Sequence, residues 1–222
     1  MNPMFYLQSY LNGIGITLIL MLAAIGIGLI LAIAMTVISR EGPYILKKCV
    51  NFFIFFIRGT PLLVQIFLIY YGAGQFEALR DSFFWIVFKT PMACAIIALS
   101  LNTACYTAII LMGAIQSVPK NEIDACDALG MSKSLALRRV IFPRAFRIAL
   151  PAYSNEVLMI LKSTSLASTI TLLDVMGVTQ QMVSATYDTV QWYLVAAVIY
   201  LLLTGVITCA FNHWQKRLNW NK

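Results

Sequence analysis

Three ionisable residues, Arg58, Glu156 and Lys162, stand within stretches that are otherwise almost wholly apolar. A charge held in hydrocarbon is costly, so such groups either neutralise one another or meet a charged ligand. Both readings are open here: Glu156 forms a structural ion pair with Lys162 or Arg58, or it faces a solute. Glu156 and Ser163 are seven residues apart, which puts them on one side of a helix. Asn102, Tyr106 and Ile109 share a stripe in the same way on another apolar stretch. Nothing else in the chain offers acid–base or metal chemistry. There is one histidine, His213, beside Trp214, and the five cysteines have no metal-ligand spacing. They read as packing residues, and no metal or cofactor is expected.

Two polar interruptions of the apolar pattern matter as much as the charges. Gly59, Thr60 and Pro61 fall in the middle of one apolar stretch and break it at Thr60, as a plain kink or as a flexing gate. The longer interruption runs from Val118 to Pro151. Pro119 suits the first turn of a short helix, and Gly130 supplies the left-handed residue that ends it. Ser132 is placed to cap a second. Ala125, Cys126, Ala128 and Leu129 would let the first helix lie close in a groove, with Asp124 and Asp127 facing basic partners. Lys133, Arg138 and Arg139 leave an alternative, an amphipathic helix on lipid headgroups, but two acids suit an anionic surface poorly. Docking of another protein is the better expectation.

These groups must be positioned by membrane-spanning helices. At 222 residues and 60% hydrophobic, with mean hydropathy +0.82, the chain is too apolar for a soluble domain. Five spans are expected: Gly13–Ile38, Phe52–Tyr71, Pro91–Ile115, Leu150–Leu172 and Val190–Trp214. The net charge of +7 reports topology, not nucleic acid, because of where the Lys and Arg residues lie. Three occupy the 40–48 loop, six the 120–147 loop and three follow residue 215. Arg80 and Lys89 alone fall in the 73–90 loop, and none falls in 173–189. The basic side is the cytoplasmic one, so the N-terminus is expected outside and the C-terminus inside. The first apolar run reads as a retained span, not a signal peptide, since no basic region precedes it. Phe83, Phe84, Trp85, Trp192 and Tyr193 read as anchors at the membrane surface. The whole chain, 1–222, is expected to form one membrane domain with a cytoplasmic loop over about 118–149.

Several segments resemble the permease subunits of ABC importers. The loop residues Asp124-Ala125-Cys126, then Gly130, then Val140-Ile141-Phe142-Pro143 are similar to their coupling loop. Arg58 to Gln65, RGTPLLVQ, resembles a signature of polar amino-acid permeases. Leu99-Ser100-Leu101-Asn102 with Cys105-Tyr106-Thr107-Ala108 is similar to their third span. Tyr153-Ser154-Asn155-Glu156 with Lys162-Ser163-Thr164-Ser165-Leu166 is similar to their fourth, most of all in arginine-uptake permeases. The resemblance implies an all-α fold of the type I importer class, five transmembrane helices plus coupling helices, in a bacterial inner membrane. It implies three partners: a cytoplasmic ATPase dimer, an extracytoplasmic amino-acid-binding protein and a second permease subunit, identical or different. It places Glu156, Ser163, Asn102 and Tyr106 at the substrate, where a carboxylate can hold a guanidinium through paired hydrogen bonds. It gives Asp124, Ala125, Cys126, Asp127 and Gly130 to ATPase coupling, and Gly59, Thr60 and Pro61 to the gate.

Departures from the family pattern are local. Ile109 and Met112 stand where many members have Glu and Arg, and Asp124 and Cys126 where they have Glu and Ala. Ser163 replaces an Asp found in many members, which leaves room for a non-binding half of a heterodimer or a less basic substrate. The chain has no G-x-x-x-x-G-K-[ST] loop, so it is not itself the ATPase and is expected not to be an enzyme. An ion-coupled secondary transporter is the rival class, but the sequence has no inverted repeat and no chain of intramembrane acids. A membrane scaffold would need neither the docking helix nor the buried charges.

Overall fold

The computed structural model describes residues 3–218, all helix and connection among the described residues. Helix α1 (Pro3–Glu41) is uniformly apolar and turns tightly at Gly42-Pro43 into α2 (Tyr44–Gly59). After the break come α3 (Leu62–Phe67) and a wide π turn, Leu68–Gly72. Two single-turn helices, α4 (Glu77–Arg80) and α5 (Trp85–Phe88), lead to α6 (Pro91–Gln116). Beyond it lie α7 (Lys120–Ala128), α8 (Lys133–Ala136), α9 (Phe142–Ser163), α10 (Val175–Thr186) and α11 (Thr189–Leu218).

Helices α1, α6 and α11 are each long and apolar enough to cross a membrane. Two further spans are broken helices: α2 with α3, bent by 106°, and the α9 rod with α10, bent by 49°. Counting each broken pair once gives the five spans expected, but the second is a fold-back and not the kinked helix read from sequence.

The core forms where α1 lies along α6. Ala95, Ala98, Leu99 and Ala104 of α6 are fully buried, as are Leu20 and Ala24 of α1. Small residues let two backbones approach closely where lipid offers no hydrophobic drive. Ile66 of α3 and Ile160 and Leu161 of α9 complete this cluster. Large apolar side chains of α11, such as Leu201, Leu202 and Val206, point outward, as lipid contact requires.

Three expectations need correcting. The second loop helix is no separate element: α8 continues through a π turn, Leu137–Ile141, into α9 and on to Ile170. Pro143 explains the wide turn, because it has no N–H to return to the Arg139 carbonyl. The 173–189 segment, read as a loop, contains α10 capped by Asp174. Trp192 is no surface anchor; it is buried, packs on Tyr6 and Tyr10, and donates to Thr186 Oγ1 at 2.7 Å.

Candidate functional site

The break between α2 and α3 follows from Pro61. A residue before proline is driven out of the helical region, and Thr60 has φ −113° and ψ 144°. Gly59 is still part of α2, has no positive φ, and a Cβ there would meet nothing. The break therefore belongs to Thr60-Pro61, and Gly59 does not make it. Ending a helix within the bilayer leaves carbonyls that must find donors. Thr60 Oγ1 donates to the Phe56 and Ile57 carbonyls at 3.1 and 3.3 Å. Gln65 reaches back from α3, its Nε2 donating to Ile57 O at 2.7 Å, Thr60 O at 3.1 Å and Thr60 Oγ1 at 2.9 Å. Its Oε1 accepts from Asn102 Nδ2 at 3.2 Å. Gln65 lies in the RGTPLLVQ stretch, and a glutamine four residues past a mid-span proline is the sequence signal that it closes the break.

Glu156 lies on α9, buried to 8% exposure against α6. Thr103 Oγ1 donates to its Oε1 at 2.9 Å. The sequence pointed to Asn102 as its neighbour, but successive residues on a helix diverge by about 100°. Asn102 is thus turned to Gln65 of α3 and Thr103 to Glu156. Ser163, two turns along the same side of α9, is half-buried where the helix tightens into the 3₁₀ segment Thr164–Ile170. Tyr106 is half-buried beneath Arg58, whose guanidinium stands 5.1 Å from the ring centroid. Arg58 is exposed, as is Lys162. Neither pairs with Glu156: among the described residues the ion pairs are Arg80–Glu77 and Arg144–Glu122. The carboxylate is left with one hydroxyl donor and no cation.

On the loop, Gly130 has φ +68°, and its N–H bonds the Asp127 carbonyl at 3.0 Å. Ser132 Oγ accepts from Leu135 N at 3.4 Å. Both ends behave as their residue types predict. Asp124, Ala125, Asp127 and Ala128 of α7, and Leu129 at its end, are exposed. Cys126 faces the other way and is buried, so it packs α7 onto the protein and is not available to a docking partner. Ile123 contributes to that contact with Ala114, Val118, Ala145 and Ala149. The ion pair of Glu122 with Arg144, 3.3 Å, ties α7 to α9.

Broken spans around a buried carboxylate held by one hydroxyl, with an exposed acidic helix at one end, are an arrangement that suits a solute-transport subunit of a membrane. Residues 24–219 match the family described as "Binding-protein-dependent transport system inner membrane component", and the chain belongs to it. It is 47% identical over 193 residues to the nopaline transport system permease protein NocM of Agrobacterium fabrum, covering 86% of this chain and 80% of the relative. It is 48% identical over 165 residues to the arginine ABC transporter permease protein ArtM of Escherichia coli K12, covering 74% and 73%. The solved structure of an amino acid ABC transporter with histidines matches with a TM-score of 0.87 at 29% identity, over 96% of each chain. The fold is that of type I ABC-importer permeases, as the loop and span resemblances implied.

Proposed function

We propose that this permease subunit passes a basic amino acid, arginine first among them, from an extracytoplasmic binding protein to the cytoplasm. Two subunits, identical or different, form the path, and a separate cytoplasmic ATPase dimer docks on α7 and drives it. The basic loops facing the cytoplasm put the N-terminus outside and the C-terminus inside. One observation carries the substrate reading: Glu156 is a buried carboxylate with no cation beside it among the described residues. Asp174, also buried, is met by two backbone N–H groups and the Tyr200 hydroxyl, whereas Glu156 has one hydroxyl, which leaves it open to a ligand's positive charge. Ser163 on the same face, and Asn102 and Tyr106 on α6, are the proposed neighbours of the bound solute. The relatives named for arginine transport support the same substrate.

The exposed side of α7 supports the docking reading. Asp124 and Asp127 offer acceptors for basic groups, while Ala125 and Ala128 permit close approach. Gly130 sets the exit angle of the helix, and Cys126 holds it from behind. Thr60 and Pro61 form the gate in this reading. A second reading rests on Ser163, which brings no second acid: this chain could be the non-binding half of a heterodimer.

Glu156→Gln separates the two. It preserves shape and hydrogen bonding while removing charge. Losing one charge-assisted contact costs about 1.5–3 kcal/mol, so affinity of the purified complex for labelled L-arginine should fall at least about tenfold. Unchanged affinity would assign the pocket to the partner subunit. Failure to assemble would make Glu156 structural.

A further inference from the structure

We propose that Thr103 is the positioning residue of this site, and that Gly28 of α1 is the notch that holds it in place. The inference rests on the reading of Glu156 as the solute-binding carboxylate. Thr103 is 3% exposed and its hydroxyl hydrogen bonds to one group, Glu156 Oε1. A threonine in a helix usually splits between two rotamers, one of which turns its hydroxyl onto a carbonyl of the preceding turn. Here the methyl is trapped. A Cβ added to Gly28 would stand 2.3 Å from Thr103 Cγ2, with the Ser100 carbonyl oxygen at 3.2 Å and the Ala104 nitrogen at 3.4 Å. The missing side chain of Gly28 is therefore filled by the Thr103 methyl. With the methyl seated there, Oγ1 is aimed across at α9.

The consequence is an oriented carboxylate. Oε1 is taken by the Thr103 hydroxyl, while Oε2 has no hydrogen bond within the described residues. Ser100 Oγ is the one fully enclosed side-chain polar atom without a partner among those residues. Oε2, which also lacks a partner, therefore keeps accessible surface. A single neutral donor holds the group without discharging it, since a hydroxyl brings no positive charge to compete with a ligand's. Thr103 and Gly28 thus tune recognition of a cationic side chain without touching it.

The test is equilibrium binding of labelled L-arginine to the purified complex, with citrulline, an uncharged isostere, as competitor. Thr103→Val keeps shape and loses the donor; arginine affinity should fall about fivefold while citrulline affinity stays within twofold. Thr103→Ser keeps the donor and should stay within twofold for both. Gly28→Ala should reproduce Thr103→Val, because the new methyl displaces Cγ2. The double variant Gly28→Ala/Thr103→Ser should recover arginine affinity, since serine has no methyl to displace. Equal losses for arginine and citrulline in Thr103→Val would mark a packing role and overturn the assignment, as would a double variant no better than Gly28→Ala. If Glu156→Gln lowers arginine affinity but Thr103→Val does not, the pocket stands and Thr103 has no part in it. If Glu156→Gln is silent, the pocket reading itself falls, and this assignment with it. Should Thr103→Val fail to assemble, Gly28→Ala with and without Thr103→Ser still decides.

Discussion

The two broken spans solve one problem with different chemistry. Between α2 and α3 the chain folds back by 106°, and its freed carbonyls are met by neutral donors, the Thr60 hydroxyl and the Gln65 amide. Between the α9 rod and α10 the bend is 49°, and the freed groups are N–H donors at the start of α10. There Asp174 accepts from Gly177 N at 3.0 Å and Met176 N at 3.3 Å, and from the Tyr200 hydroxyl of α11 at 3.3 Å. Thr17 of α1 accepts from Val175 N at 3.2 Å. A helix C-terminus needs donors and an N-terminus needs acceptors, so an amide suits the first break and a carboxylate the second. The first junction ties into the proposed pocket through Asn102, whereas the second ties three helices together. The first is the gate of the proposed function; the second is a corner cross-tied to α1 and α11.

The contrast is broken hardest at Asp174. Asp174→Ala strips two capping bonds and leaves the half-buried Tyr200 hydroxyl without its acceptor, so stability should fall by about 3 kcal/mol. Thermal unfolding of the purified protein would show it, and Asp174→Asn, which still accepts, should lose about half as much. Gln65→Met keeps length and removes both donor and acceptor. It should cost about 2 kcal/mol, less than Asp174→Ala, because the Thr60 hydroxyl still serves the Ile57 carbonyl. If the first junction is the one that moves, Gln65→Met should also change transport rate, while Asp174→Asn should leave it alone. The smallest effect is expected at Gly59. With open space around its Cα and ordinary backbone, Gly59→Ala should stay within about 0.5 kcal/mol of the parent in the same melt. A large loss there would return the break to the glycine.

How far the sequence could be read follows from the same two places. Pro61 announces the first break, because its ring acts on the residue before it whatever the surroundings. The angle was not readable, since it depends on where α3 packs, with Ile66 set into the core. The second break carries no proline or glycine at its turn. Thr171 takes the left-handed conformation there, φ 72°, a choice that tertiary packing imposes and composition does not display. Asp174 followed by an apolar run is a legible N-cap, but a polar stretch between two spans has equally the composition of a loop. At the site, spacing correctly put Glu156 and Ser163 on one side of α9, since that needs helical period alone. The partner of Glu156 was out of reach, because whether Asn102 or Thr103 faces α9 is set by the rotation of α6 against its neighbours. The docking helix was legible in its caps, yet the inward turn of Cys126 depends on a surface the sequence does not show.

The rod from Lys133 to Ile170, π turn included, links the cytoplasmic loop to Glu156 in one helical run. Glu156 stands 12 residues beyond Arg144, about 18 Å along the axis. The Glu122–Arg144 tether joins α7 to that rod near one end. A tilt of about 10° applied at Arg144 would sweep the carboxylate through roughly 3 Å over this arm. Such a stroke is about the length of one hydrogen bond, so if Glu156 holds the solute as proposed, a small rotation at the loop is enough to break that contact.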